Sequence, residues 1–157
     1  MTRNKSGCGN GGCGGCSVCD EEECTDLVLE VRAVAVIDGA AGTASGTGAG
    51  ASNFGTFSFT FEETLGTEYS GTETLTFDDE DASTIERKYT GVFADNGSFV
   101  QSSKIVDGTG RFKDASGCSI QAGQAADVTA EGFTWIGTDR GEICVANLDD
   151  LSPDSDD

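Results

Sequence analysis

A chain of 157 residues is long enough for one domain with a real hydrophobic core, and no apolar run reaches the length that crosses a bilayer as a helix. Its 28 acidic residues against 9 basic ones give a formal charge of -19, which excludes nucleic acid and anionic membranes as partners, since both demand clustered Lys and Arg. The absence of histidine removes His-based triads and His-ligated zinc or haem, leaving acid/base work to carboxylates, Lys or Tyr.

The densest chemistry comes first in the chain. Five of the seven cysteines stand between Cys8 and Cys24, spaced Cys8-x4-Cys13-x2-Cys16-x2-Cys19-x4-Cys24 and padded with glycine. Such a segment cannot pack a core, so thiolate chemistry is the physical reason to keep it. The two-residue spacers at Cys13, Cys16 and Cys19 let neighbouring thiolates grip one metal, with Cys8 or Cys24 as the fourth ligand, and zinc is the simplest occupant. The Cys8-x4-Cys13-x2-Cys16 run also equals the plant-type ferredoxin spacing, but a fourth cysteine follows too closely, so an iron-sulfur cluster is the weaker reading. Disulfides within the segment or between chains are the rival. The acidic run Asp20 to Glu23 disfavours thiolates at Cys19 and Cys24 unless a cation is bound, which supports metal. No apolar h-region precedes the cysteines, so the default location is the cytoplasm, with non-classical release left open. The acidity suits a chain kept soluble at high salt, or one that meets cations or basic surfaces.

Composition divides the chain into a Gly/Cys-rich tail over residues 1–25, a β domain over 26–147 and an acidic, frayed end over 148–157. Period-2 alternation with dense Thr, Val and Phe predicts an all-β domain, and no helical stripe competes with it. The first strand is Asp26 to Ile37, with Leu27, Leu29, Val31, Ala33, Ala35 and Ile37 on one face. Gly39 to Ser52, built of Gly, Ala, Ser and Thr, reads as a long structureless loop. Asn53 to Glu63 is the second strand and stacks Phe57, Phe59 and Phe61 on its core side. Thr67 to Phe77 and Thr84 to Ala94 follow, and Asp95-Asn96-Gly97 turns the chain into an antiparallel partner, Ser98 to Val106. Gly117 to Ala122, Asp127 to Gly137 and Gly141 to Asn147 bring the expected count to eight, with a turn at Thr138-Asp139-Arg140. An even antiparallel set with short turns hides its edges by closing, so the fold class expected is an eight-stranded antiparallel β-barrel with a Gly/Cys-rich N-terminal tail. Cys118 and Cys144 read as small buried hydrophobes, since a bridge between them would need the strands that carry them to be neighbours.

The segment Ile105 to Gly117 resembles a signature of bacterial members of the allene oxide cyclase-like and dirigent-like barrels, carried by Gly108, Thr109, Gly110, Arg111, Phe112, Ala115 and Gly117. Read physically, its glycines allow a tight crossing, Arg111 can reach carbonyls or a carboxylate, and Phe112 can plug a barrel end. The resemblance extends loosely from Leu27 to Val145 and leaves out the cysteine tail. It implies a trimeric homo-oligomer and a lumen able to hold an apolar small molecule. Were that lumen catalytic, as in a cyclase or isomerase, the charged or phenolic candidates are Glu30, Arg32, Arg87, Tyr89, Lys104 and Glu131, with Trp135 as a wall. Alternation also allows most of these to be plain solvent-facing strand residues. Two functions from different classes follow: a non-enzymatic barrel module whose thiolate-rich tail binds metal or cross-links subunits, and a cyclase, isomerase or carrier that works in the lumen.

Overall fold

The computed structural model describes residues 3–4 and 23–151. After a two-residue strand β1 (Arg3–Asn4), the chain runs through β2 (Glu23–Asp38), β3 (Thr43–Ser52), β4 (Gly55–Thr64), β5 (Tyr69–Phe77), β6 (Thr84–Phe93), β7 (Ser98–Gly108), β8 (Ser116–Thr129) and β9 (Gly132–Val145). Each strand pairs antiparallel with the next, and β9 returns to β2 from Glu23 opposite Val145 to Val36 opposite Gly132. Eight strands therefore close on themselves, and closure removes the unpaired edges that an open sheet would expose. Among the described residues no helix is long and apolar enough to cross a membrane.

The alternating pattern decides what fills the barrel. Leu27, Leu29, Val31, Ala33 and Ala35 of β2, Phe57, Phe59 and Phe61 of β4, Leu75 and Phe77 of β5, and Ile143 of β9 are all buried in one cluster. The Asn-Gly turn holds as expected: Gly97 sits at a φ of 88°, the Ala94 N–H reaches the Ser98 carbonyl at 2.8 Å, and β6 pairs β7 from Phe93 opposite Phe99.

Three expectations are corrected. The stretch Gly39 to Ser52 is not a structureless loop, because Thr43 to Ser52 forms β3 and pairs along its whole length with β2 and β4. Gly46, Gly48 and Gly50 lie beside the rings of Phe61, Phe59 and Phe57, and a Cβ on Gly48 would come within 2.5 Å of the Phe59 ring and 2.4 Å of the Arg32 carbonyl. Glycine is there because the carbonyls of β2 and the phenylalanines of β4 occupy the space. The last three expected strands are two, since Thr138-Asp139-Arg140 lies inside β9 rather than in a turn. The added strand and the merged one leave the count at eight. The C-terminal end is not frayed from residue 148, because Leu148–Leu151 forms a short 3-10 turn whose Leu151 packs into the core.

The Gly108 to Gly117 segment plugs one end of the barrel. Gly110 sits at a φ of 60° over Ser83, and Gly110–Phe112 makes a single 3-10 turn that drops Phe112 into the core. The ring of Phe112 lies 4.7 Å from that of Phe77 and 6.0 Å, edge-on, from that of Phe54. Arg111 ties the plug down: its guanidinium donates to Asp79 at 2.9 Å, to the Leu151 carbonyl at 2.8 Å and to the Phe54 carbonyl at 2.6 Å, and it stands over the Phe112 ring at 4.9 Å. The motif is a structural fastening, as its residue types suggested.

Candidate functional site

The inward positions of β5 to β9 carry polar groups among their aliphatic and aromatic ones, and Glu63 of β4 joins them. Arg87 of β6 is fully buried and stands at the centre. Its Nε donates to Glu73 at 2.6 Å, its Nη2 is ion-paired with the same carboxylate and with Asp139 at 2.9 Å, and its Nη1 donates to the Ser119 hydroxyl at 3.0 Å. Gln121 adds a donor to Asp139 at 3.1 Å. Above this layer the Tyr89 hydroxyl donates to Glu63 at 2.8 Å, and the Tyr69 hydroxyl donates to Gln101 at 3.0 Å. All these side chains lie in the interior, held by register: Glu73 stands opposite Arg87 on the neighbouring strand, as Gln121 does opposite Asp139.

Burial governs the electrostatics. It pushes the Glu63 carboxyl above the usual range, with the Tyr89 hydrogen bond opposing and the Glu73 charge adding to the shift. Glu73 is raised by burial as well, with Arg87 pulling the other way. Tyr89 and Tyr69 are raised, first by burial and then by the carboxylate of Glu63, so both phenols keep their protons. Arg87 stays charged because Glu73 and Asp139 outweigh the cost of its burial. Two acids, Glu73 and Asp139, thus share one base, and the Asp139 Oδ1 and Gln121 Oε1 atoms have no hydrogen-bond partner among the described residues. A cavity beside this layer, between Glu63, Tyr69, Tyr89, Gln101 and the rings of Phe93, Phe99, Phe133 and Trp135, measures about 10 Å³. That is room for about one water, against roughly 300 Å³ or more for a small-molecule pocket. Every N–H direction of Arg87 that the network uses ends on a protein oxygen, and the phenols cannot act as bases. Around Arg87 the lumen is a packed ionic layer.

The second cluster lies on the outside of the wall. On β2 the inward residues are Leu27 and Leu29, on β9 Ile143 and Val145, and on β8 Ser119 and Gln121, so alternation directs Cys24, Glu142, Cys144 and Cys118 outward. All four are nonetheless buried. Cys24 and Cys144 face each other across the β2–β9 seam with Cα atoms 4.0 Å apart and are joined by a disulfide. Cys118 packs against that pair, is itself disulfide-bonded, and stands opposite Glu142 across β8–β9. The Sγ atoms of Cys24 and Cys144 and a carboxylate oxygen of Glu142 all lie within 4.8 Å of one another. Cys118 and Glu142 also line a broad groove of about 1170 Å³ on the outer surface, together with Lys88, Lys104 and Arg140. The β1–β2 pairing sets Asn4 opposite Glu23 and Arg3 opposite Cys24. Asn4 and Glu23, the described residues on either side of the cysteine-rich segment, are therefore neighbours in the sheet.

Of the residues expected in a lumen site, the structure brings together Arg87 and Tyr89, each within one buried network, with Trp135 forming part of the cavity wall. Glu30, Arg32 and Lys104 have the opposite strand parity to the buried positions and face solvent, and Glu131 sits in the exposed β8–β9 turn. These four do not belong to a lumen site. Of the expected metal ligands, Cys8, Cys13, Cys16 and Cys19 lie outside the described residues, while Cys24 is bonded to Cys144. The reading of Cys118 and Cys144 as plain hydrophobes is corrected, since both are disulfide-bonded, and so is the reason given against a Cys118–Cys144 bridge, since β8 and β9 are in fact neighbours. Sequence reasoning missed Glu63, Glu73 and Asp139. A signal existed for two of them: Glu63 shares parity with Phe57, Phe59 and Phe61, and Glu73 with Leu75 and Phe77.

No protein-family model matches the chain, and no curated protein matches it. Among solved structures, the barrel is similar to that of the pterocarpan synthase dirigent protein GePTS1, with a TM-score of 0.53 at 14% identity over 81% of this chain and 91% of that one. The architecture is a dirigent-like β-barrel.

Proposed function

We propose that this chain is a non-enzymatic barrel module whose chemistry is carried by its thiols rather than by its lumen, the cysteine-rich segment capturing a soft divalent metal, with zinc the simplest occupant. The observation that carries this reading is the contrast between an interior whose cavity beside Tyr69 and Tyr89 measures about 10 Å³ and an outer wall where Cys24, Cys118 and Cys144 gather next to that segment. A tetrathiolate site needs four sulfurs; with Cys24 bonded to Cys144 those left in the segment are Cys8, Cys13, Cys16 and Cys19, and because Cys118 is disulfide-bonded as well, all four are thiols only once that bond is reduced. Cross-linking of subunits is the second reading, favoured by the oxidised state of Cys24, and by its resemblance the barrel assembles as a trimer that such links would fasten. A cyclase or carrier of the allene oxide cyclase-like kind would need the ionic layer to part before an apolar molecule could enter.

Elemental analysis of the protein purified without chelator tests the proposal. About one zinc per chain is expected, and replacing Cys8, Cys13, Cys16 and Cys19 together with serine should remove it while the barrel stays folded. Metal-free protein with thiol-dependent covalent oligomers on a non-reducing gel would move the assignment to cross-linking. Metal-free monomers without such links would overturn both.

A further inference from the structure

The outer wall alternates as the wet face of an antiparallel sheet should, with Ile120, Ala122 and Gln124 of β8 and Ile136, Thr138 and Arg140 of β9 exposed. At the plugged end the pattern stops, because Cys118, Glu142 and Cys144 also point outward and yet are buried. Their burial needs a cover. Among the described residues, β8 and β9 pack chiefly against their own sheet neighbours β7 and β2, which lie beside this patch and not over it. Ser116, Cys118 and Glu142 are nonetheless each partnered. The cysteines identify the partner. Of the seven, Cys24 and Cys144 hold each other and Cys118 is disulfide-bonded, so the only cysteines of this chain left to meet Cys118 are Cys8, Cys13, Cys16 and Cys19. Reach is no obstacle: Cys118 lies two strands from β2, about 10 Å at roughly 4.8 Å per strand. Each of the four stands at least four residues from both Asn4 and Glu23, and four extended residues span about 13 Å.

We propose that the cysteine-rich segment, residues 5–22, docks on the outer wall over Ser116, Cys118 and Glu142, fastened there by a disulfide between Cys118 and one of Cys8, Cys13, Cys16 and Cys19. Its glycine-rich backbone carries N–H donors that can approach the Glu142 carboxylate with no side chain in the way. The exposed cations around the patch, Lys104 opposite Cys118 and Arg140 two residues before Glu142, complement the acidic run Asp20 to Glu23. Closing the bond takes two electrons and two protons from the two thiols and gives them to a small disulfide, which becomes two thiols; a dithiol reverses the exchange. Docked, the segment keeps three other cysteines, one fewer than a tetrathiolate site needs, so the docked form and the zinc-holding form are alternatives. The docking requires no metal, and it stands or falls separately from the proposed function.

The test is a disulfide map of the full chain purified without reductant. Free thiols are capped with a maleimide in denaturant, and a glutamyl endopeptidase then cuts after Glu21, Glu22 and Glu23, which separates Cys24 from the other segment cysteines. Mass spectrometry should find the Cys118 peptide joined to a peptide that carries Cys8, Cys13, Cys16 or Cys19, in protein that runs as a single chain on a non-reducing gel. Replacing those four cysteines together with serine should turn Cys118 into a capped thiol and leave the Cys24–Cys144 link in place, with circular dichroism showing an intact barrel. A maleimide on Cys118 of the parent chain, a link from Cys118 to Cys24 or Cys144, or a covalent dimer joined through Cys118 would each overturn the docking.

Discussion

The two sides of the barrel interior solve the same packing problem with opposite materials. Along β2, β3 and β4 the fit is one of shape: three phenylalanines project from β4, and β3 meets them with glycine at Gly46, Gly48 and Gly50. Along β5 to β9 charge is set among the apolar side chains: Glu73 and Asp139 close on Arg87, Ser119 accepts from Arg87 and Gln121 donates to Asp139. The apolar side tolerates no extra atom, whereas the polar side tolerates no missing charge. A buried ion pair contributes little net stability over an apolar substitute, but a half-broken one is expensive because the remaining charge has no water to turn to. The ionic side therefore specifies the interior more than it stabilises it.

The sharpest way to break that comparison is to remove its one cation. Arg87→Met is expected to cost about 3–5 kcal/mol, since it strands Glu73 and Asp139 in the interior. Adding Glu73→Gln and Asp139→Asn to the same chain should restore a large part of the loss, because neutral amides need no counter-charge. Urea denaturation of the three chains measures both steps. Equal destabilisation of the single and triple variants would show that packing around the guanidinium, and not charge matching, holds this side together.

The apolar side is probed by adding a single methyl. Gly48→Ala places a Cβ against the Phe59 ring and the Arg32 carbonyl, and overpacking of that kind costs about 1–3 kcal/mol. Pairing it with Phe59→Leu, which vacates the space, should recover part of the cost. An unchanged denaturation midpoint in Gly48→Ala would mean that β3 sits further from β4 than the register indicates.

These positions also explain what could be read from the sequence. Alternating phenylalanines, the Asn96-Gly97 turn and the Arg111-Phe112 plug were all legible because each depends on residues adjacent in the chain. The strand β3 was not legible: glycine lowers strand propensity, and its fitness there comes from phenylalanines on the next strand, visible only once the register is known. Thr138-Asp139-Arg140 looked like a turn for the same reason, since a polar triplet inside a strand makes sense only when Asp139 is seen to meet Arg87 three strands away. The cysteine cluster divides in the same manner. Local spacing marks Cys8 to Cys24 as thiol chemistry, but the partnership of Cys24 with Cys144, 120 residues away, is a property of barrel closure.

The finest test of the charge side is its pH dependence. Glu63 holds its proton more tightly in the folded chain than its ordinary value of 4.5, first because it is buried and then because Glu73 is near. Between that value and its raised folded one, the folded state binds more protons than the unfolded state, so stability must fall as pH rises through this window. Asp79 acts in the opposite sense: held below its ordinary 3.8 by Ser83 and Arg111, it contributes stability present above that value and lost as pH falls through its folded one. Melting temperature should therefore peak in mildly acidic solution and decline toward neutrality. General repulsion in a chain of charge -19 produces a decline of the same sign, so the slope alone decides nothing. Glu63→Gln separates the two, because the amide oxygen still accepts the Tyr89 hydrogen bond while carrying no titrating proton. Its melting curve should decline less steeply than the parent's as pH rises. Parallel curves would locate the pH sensitivity on the surface and leave Glu63 a passive member of the layer.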